Sequence, residues 1–133
     1  MLRTKYMFAP REFDDGERVS IAFAHSWSEG QAPCDKTSVP DYLFNSWLSK
    51  LAPSRKESLA WYAHQMTRGE FDELYLCRLG RLLLDPKIKA HIHDALNRNI
   101  TLLGLSPHPN DCYRKILGEE IARRNPNLEF SFR

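Results

Sequence analysis

The stretch NITLLGL, residues 99–105, decides the fold because it is short, uncharged and almost wholly apolar. Such a run predicts a strand that is covered on both faces, as the strands of parallel sheets are. A tight loop at residues 106–110 and a helix over residues 111–124 follow, and LEFSF at 128–132 alternates as a last strand. A strand, a loop, a helix and a strand form a βαβ unit, so we expect a parallel pair with a right-handed crossover.

Two further strands are predicted near the start of the chain. They are RTKYMFA at residues 3–9 and RVSIAFAH at residues 18–25, and the turn-rich segment FDDGE separates them. Because the two runs are close in sequence, we expect them to be neighbouring strands. Residues 26–40 contain two prolines and a glycine without periodicity. They predict a long loop, and loops of that length are often functional.

Apolar residues at helical spacing predict four helices between residues 44 and 96. The first carries its apolar face on Phe44, Trp47, Leu48 and Leu51. Capping-box pairs begin the second and third helices, Ser54 with Glu57 and Thr67 with Glu70, and Asp85-Pro86 begins the fourth. We therefore predict a single α/β domain over residues 1–133, a small three-layer domain with a mostly parallel sheet of about four strands flanked by about five helices. A helical bundle with a stray hairpin is the alternative, and the apolar strand at 99–105 argues against it.

Composition excludes several classes of protein. The chain has 133 residues, of which 42% are hydrophobic and 27% charged, as in an ordinary globular domain. Its net charge of +2 argues against a dedicated nucleic-acid binder. No run approaches the roughly 18 apolar residues of a membrane span, and no secretory signal is evident. Three widely spaced cysteines, Cys34, Cys77 and Cys112, are typical of reduced thiols and predict a cytoplasmic protein.

Several short motifs carry a resemblance to a known family. They are DGERVSI (15–21), LAP (51–53), WY (61–62), EFDELY (70–75), ITLL (100–103) and DCYR (111–114). In order and spacing they resemble the YeaO-like proteins, a bacterial family known as domain-of-unknown-function family 488. The resemblance implies a fold and no settled activity. The family's Cys-His-Arg tripeptide corresponds here to Cys112-Tyr113-Arg114, its strand cysteine to Gly104 and its loop arginine to Ala24.

The start of the predicted C-terminal helix supplies most of the candidate site residues. Ligands of α/β proteins bind at the carboxyl ends of parallel strands, and the free N–H groups of a helix start favour anions. Arg114 would clamp a phosphate or carboxylate, Asp111 would cap or orient, and Cys112 would be a nucleophilic or redox thiol. His25, at the end of the second strand, would be a general base or an anion contact. The alternative is structural: a capping Asp111, a buried Cys112 and an Arg114 paired with a surface acid.

Neither a metal nor a cofactor is predicted. His91 and His93 are two positions apart on a helix and point away from each other, so they cannot hold one ion together. His91 with Asp94 could, but the sequence offers no further ligand. None of the familiar nucleotide-binding motifs occurs. We therefore expect a protein that binds a small anionic ligand (phosphate, nucleotide or carboxylate), either as a binding protein or as an enzyme that uses Cys112. The alternative is a non-catalytic protein–protein interaction module that exposes Trp27 on the long loop. The sequence does not indicate an oligomeric state.

Overall fold

The computed structural model describes residues 1–22, 25, 39–53, 57, 66–105 and 113–132. Its described strands form one parallel sheet: β1 (Leu2–Tyr6), β2 (Glu17–Ser20), β3 (Ser46–Trp47), β4 (Ile100–Gly104) and β5 (Phe130–Phe132). Their order across the sheet is β3-β2-β4-β1-β5. The α/β class is confirmed, with five strands in the described part of the chain rather than about four.

Strand β4 lies at the centre of the sheet, and all five of its residues are buried. Leu102 is paired in register with Thr4 of β1 on one side and with Val19 of β2 on the other. The prediction of a doubly covered strand is therefore confirmed. The prediction that β1 and β2 are neighbours is wrong, because β4 lies between them. Strands β4 and β5 are parallel as expected, but β1 separates them.

Three α-helices occur among the described residues: α1 (Arg68–Leu82), α2 (Pro86–Asp94) and α3 (Tyr113–Arg124). The capping box of α1 is confirmed, since Thr67 Oγ1 accepts a hydrogen bond from the Glu70 amide at 3.1 Å and the Glu70 carboxylate accepts one from the Thr67 amide. Asp85 caps α2 by accepting from the amides of Lys87 and Ile88, as predicted. No described helix has the length and apolar character that a membrane crossing needs.

The helix predicted from Phe44, Trp47, Leu48 and Leu51 is wrong. That segment forms the short edge strand β3 between two 3-10 turns, Asp41–Leu43 and Ser49–Leu51. Its backbone groups bond to β2 instead of to each other: the Leu48 amide donates to the Ser20 carbonyl at 2.9 Å. Sheet pairing therefore overrides the helical spacing here. The helix predicted to start at Ser54 lies outside the described residues apart from Glu57 and Met66.

The two faces of the sheet are covered differently. One face carries the main core, in which Leu2, Val19, Ile100 and Leu102 pack against buried side chains of all three helices. The other face is crossed by residues 7–16, the connection from β1 to β2, which we call the crossing loop. Within the described residues this second face is covered by connecting segments rather than by helices, so the predicted third layer is not seen there.

Ion pairs and hydrogen bonds hold the crossing loop against the sheet. Asp15 is 1% exposed, and its carboxylate lies 3.0 Å from Lys5 Nζ, 2.6 Å from an Arg18 nitrogen and 3.6 Å from an Arg3 nitrogen. Thr101 of β4 donates to the Asp15 carbonyl at 2.7 Å. Burial by itself raises the pKa of Asp15, but the hydrogen bonds it accepts, led by that of Lys5, outweigh this and lower it. The carboxylate is therefore held ionised between the three cations.

Candidate functional site

The carboxyl edge between β2 and β4 is a topological switch point. The chain leaves β2 toward β3 on the crossing-loop side, where Val39 of that connection packs beside Met7 and Leu103. It leaves β4 in the opposite direction, through α3 on the helical side. Because the two connections diverge, the region outside these strand ends, which we call the β2–β4 crevice, is the position at which open α/β sheets bind ligands.

The sequence-predicted site residues come from the two connections that flank this crevice. His25 follows β2, and Tyr113 and Arg114 open the described part of α3, which follows β4. The Tyr113 hydroxyl donates a hydrogen bond to the Ile21 carbonyl and so ties the start of α3 to the end of β2. Asp111 and Cys112 lie outside the described residues, and their roles stay predictions.

The imidazole of His25 is held by three side chains. Its Nε2 lies 2.6 Å from Ser20 Oγ. The ring lies between those of Phe44 and Trp47, with centroid distances of 4.3 and 4.1 Å. Trp47 is itself fixed, because its indole N–H donates to the Ala22 carbonyl at 2.5 Å. These contacts give the His25 ring a defined orientation at the end of β2.

The hydrogen bonds around Ser20 determine what His25 can do. The Ala22 amide donates to Ser20 Oγ at 3.3 Å, and the same hydroxyl donates to or accepts from His25 Nε2 according to the imidazole tautomer. Ser20 engages Nε2 in either tautomer, so a ligand would meet Nδ1, which accepts a proton when Nε2 carries the hydrogen and donates one when it does not. Burial lowers the pKa of His25, although Asp41 nearby acts in the opposite direction. Ser20 is wholly buried and cannot meet a ligand, so it positions the partly exposed His25 ring.

We expect the His25 imidazole to titrate below its ordinary pKa of 6.5. Because the folded-state pKa is depressed, the unfolded chain takes up this proton first as the pH falls below 6.5, and the folded state loses stability until the folded pKa is reached. An NMR titration of the ring carbons measures the pKa directly. Phe44→Ala, which uncovers the ring, is expected to bring the pKa back toward 6.5. A wild-type pKa at or above the ordinary value would contradict this assignment.

The side chain of Arg114 is wholly buried, beneath the start of α3. One guanidinium nitrogen donates to Oγ1 of Thr4 in β1 at 3.2 Å, and Thr4 is also fully buried. A guanidinium keeps its proton in such surroundings, so a positive charge lies between α3 and the sheet. The pairing of Arg114 with a surface acid, which the structural alternative expects, stays a prediction.

Sequence reasoning missed the residues that surround His25. Ser20 was available as a signal, since a hydroxyl lies at the end of the same strand five positions earlier. The sequence gives no signal that Phe44 and Trp47 contact His25, because their apolar spacing predicts a helix. Among the described residues, no group of three or more His, Cys, Asp and Glu side chains is placed to hold a metal ion.

No protein-family model, curated protein or solved structure matches the chain. The resemblance to the YeaO-like family therefore stays a prediction carried by the motifs themselves. The candidate site is therefore the β2–β4 crevice, where His25 lies on one side and the start of α3 on the other.

Proposed function

We propose that the protein binds a small anionic ligand, a phosphate, nucleotide or carboxylate, in the crevice outside β2 and β4. The observation that carries this proposal is the wholly buried guanidinium of Arg114 at the start of α3. The crevice is also the position at which the topology favours a ligand.

The electrostatics of this crevice favour an anion for two additive reasons. The guanidinium of Arg114 is permanently charged, and a charge in low-dielectric surroundings acts more strongly than one in water. The first turn of a helix adds unpaired N–H groups and the positive end of the helix dipole. A phosphate or carboxylate at the start of α3 would be stabilised by both, with the wholly buried guanidinium acting through its charge rather than by direct contact.

His25 supplies the other side of the proposed site. As a neutral imidazole it would accept a proton from the ligand or donate a hydrogen bond to it. Cys112 and Asp111 enter from the sequence alone, Cys112 as a thiolate favoured by the helix start and Asp111 as a cap or orienting acid. With Cys112 as nucleophile and His25 as base the site would be catalytic, and without them it would only bind.

Two features of the sequence support the same proposal. The resemblance to the YeaO-like family includes the tripeptide Cys112-Tyr113-Arg114, of which Tyr113 and Arg114 open the described part of α3. The three widely spaced cysteines favour a cytoplasmic protein, where phosphorylated and carboxylated metabolites are plentiful. The alternative of an interaction module that presents Trp27 concerns residues outside the described part of the chain and stays a prediction.

A thermal-shift panel of inorganic phosphate, nucleoside monophosphates, sugar phosphates and small carboxylates tests the proposal. A ligand at 100 times its Kd stabilises the folded state by about 2.7 kcal/mol, which raises Tm by several degrees in a domain of this size. Arg114→Lys keeps a charge but loses the planar fork that holds this charge against Thr4 at the start of α3, and we expect it to reduce the shift at fixed ligand concentration. Arg98→Gln removes an exposed arginine and serves as the matched control.

The panel gives distinguishable outcomes. A shift that Arg114→Lys reduces and Arg98→Gln leaves unchanged supports an anion site at α3. A shift that only Arg98→Gln reduces, or a panel without any shift, overturns the proposal for these ligand classes. His25→Gln provides a second variant if Arg114→Lys fails to fold, because it alters the other side of the crevice and leaves the buried guanidinium in place.

A further inference from the structure

An apolar groove lies where the three helices approach one another at the opposite end of α3 from Arg114. Its volume is about 450 Å³. The floor is formed by Leu83 and Ile92, and Leu84 and Leu96 stand at its edges. Leu83 is 6% exposed and Ile92 packs on the main core, so the floor continues the interior of the protein. The groove shares no residue with the β2–β4 crevice.

Two large apolar side chains are exposed at the edges of this groove. Leu84 is 63% and Leu96 48% exposed, and both are among the most exposed large apolar side chains of the described chain. They follow the ends of α1 and α2, where the backbone turns and the side chains stand outward. Clustered exposed apolar groups around a concave floor are typical of interaction sites.

The ionised side chains that line the groove are basic. They are Lys89 and Arg124, and none of the described lining residues is acidic. The nearest acid on α3, Glu120, is already bound by arginines, which lower its pKa to about 2 through hydrogen bonds from Arg123 and Arg124. On α2, Asp94 is paired with Arg98. Because Arg123 and Arg124 share the single carboxylate of Glu120, this cluster of two cations and one anion keeps a net charge of +1, to which Lys89 adds a second positive charge beside the groove.

We propose that this groove docks an acidic amphipathic helix of a partner protein. Helices bind in grooves by placing apolar side chains at i, i+3, i+4 and i+7 on an apolar floor. Acidic residues on the flanks of such a helix would meet Lys89 and the net positive charge that Arg123 and Arg124 keep beside Glu120. A small amphiphile fits less well, because small-molecule sites enclose most of their ligand and the edges of this groove are strongly exposed. This proposal goes beyond anion binding at α3 and uses different residues.

A synthetic helical peptide is the probe for this proposal. It has about 18 residues, five turns of helix, with leucine at the i, i+3, i+4 and i+7 positions and glutamate at most of the others. Its matched control carries lysine in place of every glutamate. We expect the glutamate peptide to shift the amide NMR resonances of Leu84, Ile92 and Leu96, and the lysine peptide to bind at least about tenfold more weakly.

Matched substitutions on exposed leucines test the position of the groove. Leu84→Ser and Leu96→Ser, at exposed positions that the fold tolerates, are expected to weaken glutamate-peptide binding by about tenfold each. Leu74→Ser and Leu76→Ser alter equally exposed leucines of α1 away from the groove and are expected to leave binding unchanged. The proposal is overturned if the lysine peptide binds equally well, if the α1 substitutions weaken binding as much, or if no groove amide shifts.

Two further arms separate this proposal from other occupants and from the anion site. Dodecanoate or phosphatidylglycerol vesicles that shift the groove amides while the glutamate peptide does not would replace the partner helix by a lipid and overturn the proposal. Arg114→Lys is expected to leave peptide binding unchanged, because Arg114 lies at the other end of α3. Loss of anion binding and loss of peptide binding are therefore measured independently.

Discussion

Asp15→Asn is expected to destabilise the fold by about 3–5 kcal/mol, the cost of removing one partner from a buried ion pair. The substitution keeps the size of the side chain but leaves the charges of Lys5 and Arg18 without their shared carboxylate. Both cations are 3% exposed or less at the side chain, so water cannot replace Asp15. Urea unfolding at pH 7, followed by circular dichroism, measures the loss.

The matched control is Asp72→Asn, because Asp72 pairs with Arg68 at 2.7 Å on the surface of α1. Exposed pairs contribute about 0–1 kcal/mol, so this variant is expected to lose little. The pH dependence of stability gives a second test of the role of Asp15. Since the folded-state pKa of Asp15 lies below its ordinary 3.8, its contribution is present above that pH and is lost as the pH falls through the folded value. Equal losses in the two variants would contradict the role given to the buried cluster.

Gly16→Ala is expected to destabilise the protein by about 3 kcal/mol or more, since it combines left-handed backbone strain with a direct overlap. Gly16 has φ of 65°, and a Cβ there would lie 2.0 Å from the carbonyl oxygen of Asn99. That oxygen accepts a hydrogen bond from the Glu17 amide at 3.2 Å, where β2 meets β4. Relief of the overlap would therefore disturb the first pairing of these two strands.

Gly80→Ala is the matched control for Gly16→Ala. Gly80 lies inside α1, and a Cβ at that position meets nothing within 4 Å. Alanine is expected to stabilise the helix there by about 0.5–1 kcal/mol, because it reduces the entropy of the unfolded chain. The two variants should thus change the free energy of unfolding in opposite directions. If both variants change the free energy of unfolding in the same direction, the close approach of Gly16 to Asn99 is not required for stability.

The parts of the fold that the sequence predicted are those determined by local chemistry. The uncharged run of β4 indicated a central strand, and Thr67 and Asp85 marked helix starts by the hydrogen bonds that their side chains accept. The segment at Phe44 and Trp47 was misread for a tertiary reason. Its apolar residues have helical spacing but face different partners, with Trp47 on His25 and Leu51 in the main core.

The burial of charge on β1 and β2 could not be predicted from the sequence. Arg3, Lys5 and Arg18 occupy alternate positions of their strands, between residues such as Leu2, Tyr6 and Val19, and this is the pattern of a strand with one solvated face. They are buried because the crossing loop brings Asp15 over that face, and this depends on a parallel connection that passes β4. The strand order is a property of the whole chain and left no local signal.

The sequence predicted the two residues proposed for the candidate site but not the side chains that hold His25 in place. His25 and Arg114 could be selected because each follows a predicted strand, and both connections flank the β2–β4 crevice. The support that fixes His25 comes from Ser20 on the same strand and from Phe44 and Trp47 on another segment. The order of the strands in the sheet brings Phe44 and Trp47 to His25, so these two contacts could not be predicted from the sequence.

The most direct test of anion binding at the β2–β4 crevice is an amide NMR titration of the wild-type protein with inorganic phosphate and a nucleoside monophosphate. If the anion binds there, we expect saturable amide shifts confined to Tyr113 and Arg114 at the start of α3 and to Ile21, Ala22 and His25 at the end of β2. The groove between the helix ends should be unaffected. An absence of shifts, or shifts centred away from the β2–β4 crevice, would contradict the account.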